Sequence, residues 1–536
     1  MNNLEKSEWR NFYIDVLRKP IYWIFVLFTT SLSYLFDLLN RTVGPDDLAR
    51  PFYIGEEKGA ISDYRWGMVL LGNLLSSSEF TPFIDKFLSI TSLIISAVLF
   101  SFILFNYIRN RNTKYTLPLC TIFSCSFISY PLINEIWIFS TSNLFVNLNF
   151  VIVAICILLL QRREKILSSL TFLCSLLLSI AVSSYESSAF LYVTVVFCIL
   201  LMDCIIFNKK NWFTKGLRFA IPVVIAVILR FVISKFLIYI MDLPKVQLAA
   251  SDITWRFDGN LTGQIQHIIF TTFIDYFIKG LIYLPIAVFV ISLTSSFICV
   301  IILTIKRKKF IYLFLFILLF FSLFLQTIIQ GQTMMYRTAQ TLSFFCPFSL
   351  SLCIYAITFL NKKYIYSTSV IFVSFLIYRQ SVFLNKTLAL NNQRSDNEAA
   401  IAYNIGNRLK QIDISKPTYI VGEIDLGDYI NRQKRPNEAT LGGYIYRKIA
   451  IHFGWNYDNT IIYGSSINSI INWNRGVFII KDKMKEYFSY YGIDANIQDF
   501  TSWREHNTYV AEAADLGMRP MEIRDLGDHI LVYLGP

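Results

Sequence analysis

Residues 40–75 read NRTVGPDDLARPFYIGEEKGAISDYRWGMVLLGNLL, a polar stretch between two apolar runs that decides how the rest of the chain is read. Adjacent carboxylates, Asp46 and Asp47, follow a Gly44-Pro45 turn, and Asp63, Arg65 and Trp66 come about one loop later. The run before it, about Pro20 to Leu39, and the run after it, about Ile84 to Ile108, are each long enough to cross a hydrocarbon core roughly 30 Å thick. The stretch between them is therefore a loop held at one face of a membrane. Arg65 to Leu75 is apolar but too short to cross, and reads as a helix along the interface.

Composition extends this reading outward. The 536 residues are 54% hydrophobic, 16% aromatic and 16% charged, against roughly 25% charged in soluble domains. Mean hydropathy is +0.49. The apolar runs are continuous and not alternating, so they are helices and not barrel strands. The net charge of +12 sits in short loops between the runs, as the positive-inside rule expects. No basic, aromatic-interleaved patch suited to nucleic acid is present. The nine cysteines, the last of them Cys353, lie in or beside apolar runs and read as small packing residues. His267, His452, His506 and His529 are scattered and form no zinc pattern. No metal site or cofactor is read, although the acids could bind a divalent ion. The first nineteen residues are polar and the next run lacks a small-residue cleavage site, so the first span reads as an uncleaved anchor.

Loop charges set the topology. Lys6, Arg10, Arg18 and Lys19 put the N-terminus in the cytoplasm and the first loop outside. The second span returns to Arg109, Arg111 and Lys114. The third rises to Asn134-Glu135-Ile136-Trp137, and the fourth ends at Gln161 to Lys165. The fifth rises to Tyr185-Glu186 between serine pairs, and the sixth descends to Lys209, Lys210, Lys215 and Arg218. The seventh, about Phe219 to Met241, carries Arg230 and Lys235 in its outer half, and a polar loop follows. The eighth ends at Lys306 to Lys309, the ninth climbs to Gln330 through Arg337, and the tenth ends at Lys362-Lys363. An eleventh, about Tyr364 to Leu384, leads outward.

The expected fold is an all-α polytopic membrane protein of about 11 transmembrane helices with a small C-terminal α/β domain. Residues 1–19 are the cytoplasmic N-terminus, 20–385 the transmembrane domain with 40–83 its first outer loop, and 386–536 the outer α/β domain. In that domain Asn391 to Asp413 reads as an amphipathic helix. Pro417 to Ile424 and His529 to Leu534 read as strands. Asp425 to Asp428 and Asp525 to Asp528 read as turns.

The outer face then collects Asp46, Asp47, Asp63, Glu135 and Glu186, with Arg65 and Arg337, above Arg230 and Lys235. Ionisable groups within a membrane are costly and usually face a cavity. A carboxylate there can take a proton from a hydroxyl, and cations can hold a departing phosphate. Plainer roles compete. Asp46 or Asp47 suits a helix N-cap, Glu135 and Glu186 suit solvated loops, Arg230 and Lys235 can snorkel, and Arg337 suits a span boundary.

With Gly44-Pro45-Asp46-Asp47, Arg65-Trp66, Tyr185-Glu186 and Tyr336-Arg337 in that order within about residues 10–385, the chain resembles the bacterial and phage serotype-converting O-antigen glucosyltransferases. Tyr185-Glu186 departs from the Tyr-Gln expected there. The resemblance implies a GT-C type fold in the bacterial inner membrane, with the active site and the C-terminal domain on the periplasmic side. It implies an undecaprenyl-phosphate-linked sugar, typically glucose, as donor and lipid-linked O-antigen as acceptor. A donor synthase and a sugar-lipid flippase are implied as functional partners. By analogy the first-loop acid is the catalytic base, Asp46 preferred with Asp47 supporting. The lipid phosphate leaves from the opposite face and configuration inverts. Such a leaving group needs positive charge and no second carboxyl, unlike a sugar leaving group. Arg337, Arg230 and Arg65, then Lys235, are candidates for the donor phosphate. Glu135, Glu186, Tyr185, Asp63 and Trp66 are candidates for the acceptor side or a second acid.

Three other classes compete. An O-antigen polymerase or ligase would lean on arginines in a large late outer loop. A transporter or flippase would favour internal repeats and broken helices near the midplane, whereas this chain shows no repeat and its acids cluster at the outer surface. A membrane-anchored binding or structural protein would place its function in the tail.

Overall fold

The computed structural model describes residues 3–40, 56–75, 82–109, 113–133, 137, 140–161, 166–207, 211–243, 261–273, 276–277, 284–331, 338–358, 363–412, 415–422, 447–448, 451–452, 485, 488–489, 492–498, 500 and 502–535. An amphipathic helix α1 (Asn3–Phe12) leads into α2 (Pro20–Leu39). Pro20 starts α2 at a position whose N–H needs no intrahelical partner. Two short helices, α3 (Glu56–Ser62) and α4 (Trp66–Leu75), stand in the first loop. The chain continues through α5 (Pro82–Ile108), α6 (Thr116–Ile128), α7 (Ser140–Gln161), α8 (Ser169–Ser184), α9 (Ser187–Phe207) and α10 (Trp212–Ile240). Then come α11 (Leu261–Phe273), α12 (Leu284–Arg307), α13 (Ile311–Leu323), α14 (Leu325–Gln330), α15 (Gln340–Thr358) and α16 (Lys363–Leu409).

All eleven apolar runs fold as helices. Among the described residues eight helices are long and apolar enough to cross a membrane, and α4, α6, α8 and α13 are shorter apolar ones. The short ones answer to the third, fifth and ninth runs and to the interfacial segment. At about 1.5 Å per residue, 13 to 16 residues reach only about 20–24 Å, less than a hydrocarbon core. On their own, α6, α8 and α13 therefore fall short of a full crossing.

The helices share one continuous core from Phe12 to Leu388. In it α5 packs on α7, α8 on α10, α2 on α16 and α9 on α13. Small polar residues line many of these contacts. Asn147 Nδ2 donates to Ser89 Oγ at 2.6 Å, and Ser129 Oγ donates to Gln380 Oε1 at 3.0 Å. Seven of the nine cysteines are buried and the other two half-buried, all free thiols.

The change of composition at residue 385 falls inside one helix. The 47 residues of α16 run without a break to Leu409, about 70 Å of helix. Its last turns carry Ala402, Ile405 and Leu409 into a second core with Ile420, Ile530 and Val532. There β1 (Thr418–Val421), β2 (Glu522–Asp525) and β3 (Ile530–Tyr533) form a sheet of order β1-β3-β2. β3 runs parallel to β1, with Thr418 opposite Ile530, and antiparallel to β2. The helix α17 (Trp503–Asp515) packs on β1 and β3, its N-terminus capped by Ser502 Oγ accepting from the Glu505 N–H. The two expected strands are present and the Asp525–Asp528 turn joins β2 to β3, with Gly527 at φ +95°. The Asp425–Asp428 turn lies outside the described residues.

Candidate active site

The described part of the first loop is built on an unusual helix end. At the close of α3 the Tyr64 N–H donates to the Ile61 carbonyl at 3.0 Å and the Arg65 N–H to the Ala60 carbonyl at 2.7 Å. This is a Schellman-type cap, whose pivot residue takes the left-handed conformation that usually selects glycine. Here the pivot is Tyr64, at φ +62°. A side chain in that region costs roughly 1–2 kcal/mol, so tertiary contacts must offset it. They are present: the Tyr64 ring meets Phe231 edge to face at 5.6 Å, and the Tyr64 carbonyl accepts from Arg230 Nε at 3.3 Å.

The next helix, α4, is pressed onto the end of α8. A Cβ at Gly67 would stand 2.2 Å from the Ile180 carbonyl oxygen and 2.5 Å from Ser183 Oγ. Only glycine permits so close an approach. The interfacial helix read from the sequence is thus seated on protein, against the end of α8.

That turn carries Tyr185 and Glu186. The serines around it, Ser183, Ser184, Ser187 and Ser188, are all buried, so the turn is recessed among helices. Glu186 is half-buried, and its Oε1 forms a short ion pair with Arg230 Nη2. Arg230 is buried in α10, about 15 Å below that helix's end at Ile240 by the 1.5 Å rise per residue. Desolvation makes a lone guanidinium at such a depth costly, and a carboxylate beside it offsets the cost. Arg230 therefore joins three segments: α10, the α8–α9 turn and the α3–α4 link at Tyr64. A guanidinium has five donors, and two are used here, by Glu186 and by Tyr64.

The structure separates the other candidates. Asp63 and Arg65 are exposed beside Tyr64, and Trp66 is half-buried, its Nε1 finding no hydrogen-bond partner among the described residues. Lys235 is exposed, off the buried stripe of Arg230, Ser234 and Ile238. Asp46, Asp47, Glu135 and Arg337 lie outside the described residues. No group of three or more His, Cys, Asp or Glu side chains suited to a metal occurs among the described residues.

Sequence reasoning passed over Tyr64, Gly67 and a buried ion pair between Lys86 of α5 and Asp37 of α2. The pair had a readable signal, since both charges interrupt apolar runs near the ends that flank the first loop. The left-handed Tyr64 had none.

Comparison with known proteins adds one finding. Residues 35–349, more than half of the chain, match the family model described as Glucosyl transferase GtrII. The match begins near the end of α2 and takes in the first loop, the α8–α9 turn, Arg230 and Arg337. No curated protein and no solved structure matches the chain significantly.

Proposed function

The chain belongs to the GtrII glucosyl transferase family, and from that premise we propose that it moves glucose from undecaprenyl-phosphate-glucose to lipid-linked O-antigen, with inversion, at the periplasmic face of the bacterial inner membrane. The observation that carries this reading is the Arg230 junction. A buried cation bonds both to the recessed α8–α9 turn and to Tyr64 of the first loop, and all three fall within the residues matched by the family. A GT-C type architecture of about eleven spans, with the tail outside, fits the run of basic inner loops.

In this mechanism an acid of the first loop, Asp46 with Asp47 beside it, takes the proton of the acceptor hydroxyl. The hydroxyl oxygen bonds to the anomeric carbon as the bond to the lipid phosphate oxygen breaks on the far side. The electron pair leaves with the phosphate, which needs cations and not an acid. Arg230 has three donors beyond those given to Glu186 and Tyr64, enough for phosphate oxygens. Glu186 then orients this guanidinium. Arg337 and Arg65 supply further charge, with Lys235 at the rim. Asp63, Trp66, Tyr185 and Glu135 stand on the acceptor side. A synthase that loads the lipid and a flippase that delivers it are the required partners.

The test is glycan analysis of O-antigen from native-host cells with the intact gene, with Asp46→Asn plus Asp47→Asn, and without the gene. A glucose branch is expected only with the intact protein. A branch at full level in the double variant would remove the base assignment, and no branch with the intact protein would remove the transfer itself.

A further inference from the structure

The first loop leaves the membrane helices at Asn40, and Asn40 is gripped from both sides. Its N–H and its Nδ2 both donate to the Phe36 carbonyl, at 3.1 and 2.6 Å, which closes the end of α2. Its own carbonyl accepts from Lys86 Nζ at 3.3 Å. The same ammonium donates to the Asp37 carbonyl at 3.0 Å and to Asp37 Oδ1 at 2.9 Å. Both side chains are buried, 1% and 2% exposed.

Lys86 comes from the second turn of α5, on the far side of the loop. The last carbonyls of a helix lack intrahelical partners and carry partial negative charge. A cation there is favourable, but two apolar side chains of the same volume would hold α2 against α5 as well or better. What the ion pair adds is direction. An ammonium with three donors fixes three oxygens in space, and one of them is the carbonyl from which the chain departs toward Asp46 and Asp47.

We propose that Lys86 and Asp37 are positioning residues that fix the starting point and heading of the first loop, and through it the place of the catalytic acid. This rests on the reading of the first-loop acids as the base. These bonds go to protein oxygens, and neither residue is assigned a contact with substrate.

The test compares the full-length protein with Lys86→Arg, Lys86→Met and the double variant Asp37→Leu/Lys86→Met. The single Lys86→Met leaves a buried carboxylate without its cation and serves as the folding control. The double variant removes both charges of the pair. It is expected to elute and melt like the parent, while kcat for glucosyl transfer falls about 10²-fold, the effect of a misplaced reacting group. KM for donor and for acceptor is expected to stay within about threefold. Lys86→Arg is expected to recover part of kcat. A merely structural pair predicts a double variant with parental kcat, and that result overturns the proposal. A raised KM at unchanged kcat also overturns it, since it would show lost substrate binding. A second readout does not depend on activity. Hydrogen exchange at the end of α2, Leu38 to Asn40, is expected to speed up about tenfold or more in the folded double variant, and unchanged exchange overturns the proposal. An inactive parent protein would instead remove the proposed function, and exchange would still decide the clamp.

Discussion

Two glycines in the first loop make opposite predictions. At Gly67 an added methyl would lie 2.2 Å from the Ile180 carbonyl oxygen and 2.5 Å from Ser183 Oγ. Close carbon–oxygen contacts fall at roughly 3.3–3.6 Å, so Gly67→Ala requires a displacement of about 1 Å. The Ile180 oxygen is backbone within α8, so α4 must do most of the moving. Such overpacking costs about 1–3 kcal/mol, and the better helix propensity of alanine returns about 1 kcal/mol. The net loss of stability is small, about 0–2 kcal/mol on those two figures. Activity suffers more. A shift of about 1 Å at α4 stretches the 3.3 Å bond from Arg230 Nε to the Tyr64 carbonyl beyond hydrogen-bond range, and a misplacement of that size can lower a rate about 10²-fold. At Gly59, in α3, a Cβ meets nothing within 4 Å. Gly59→Ala is expected to keep full activity and to gain up to about 1 kcal/mol. The assay is the initial rate of glucosyl transfer from a polyprenyl-phosphate donor at matched amounts of folded protein, with a thermal melt of each variant. Full activity in Gly67→Ala, or equal losses in both variants, would refute the seating of α4 on α8.

The Arg230–Glu186 pair should behave as one unit. Glu186→Gln leaves a buried guanidinium short of its carboxylate. Because the Glu186 side chain is 34% exposed, the cost is about 1–3 kcal/mol, below the figure for a fully buried pair. Arg230→Met should lose transfer outright, and adding Glu186→Gln to it should cost little more stability; melting temperatures that fall additively would show that the two do not interact. In the tail, Asp525 is held below the ordinary 3.8 mainly by Lys416 and then by the Gly527 N–H, and Asp528 below 3.8 mainly by His529. Glu522 is held below 4.5 by the Arg519 N–H and by Arg524. A lowered folded-state pKa stabilises above the unfolded value and is lost as pH falls through the folded one. The tail should therefore hold its protease resistance down to about pH 4 and lose it below; equal resistance at lower pH would show that these exposed pairs contribute nothing. Finally, a topology reporter fused after Pro536 should register outside the cytoplasm, and a cytoplasmic signal would mean that an odd number of spans has been miscounted.

The helices were legible because a bilayer demands them. Backbone polar groups in hydrocarbon must be satisfied within the segment, so each crossing is written as an unbroken apolar run. β3 was legible for a related reason, since ILVY is buried along its whole length, whereas β2, EIRD, is a half-buried edge with no apolar alternation to betray it. Depth was harder to read. Glu186 sits in a serine-flanked turn that suits a solvated loop as well as a recessed one. The distinction lies in tertiary packing, which buries all four flanking serines. Tyr64 was not readable, because only tertiary contacts hold a tyrosine where glycine belongs.

The charges inside the membrane helices tell the same story twice. Arg230 is an intramembrane cation by sequence, and the same rule applies to Asp37 and Lys86, which interrupt apolar runs near the ends of α2 and α5. In the structure the two cations act alike. Each is buried, each is paired with an acid from another segment, and each donates to a main-chain carbonyl of the first loop, Lys86 to Asn40 and Arg230 to Tyr64. Asn40 and Tyr64, which bound residues 41–63 in the sequence, are therefore each held by a buried cation bonded to their carbonyl. A loop merely required to span from α2 to α5 would need neither tether, and hydrophobic packing at both places would cost less desolvation. Two such tethers on one loop fit a requirement for placement within a fraction of an ångström, which is what proton transfer to an acid asks of its scaffold.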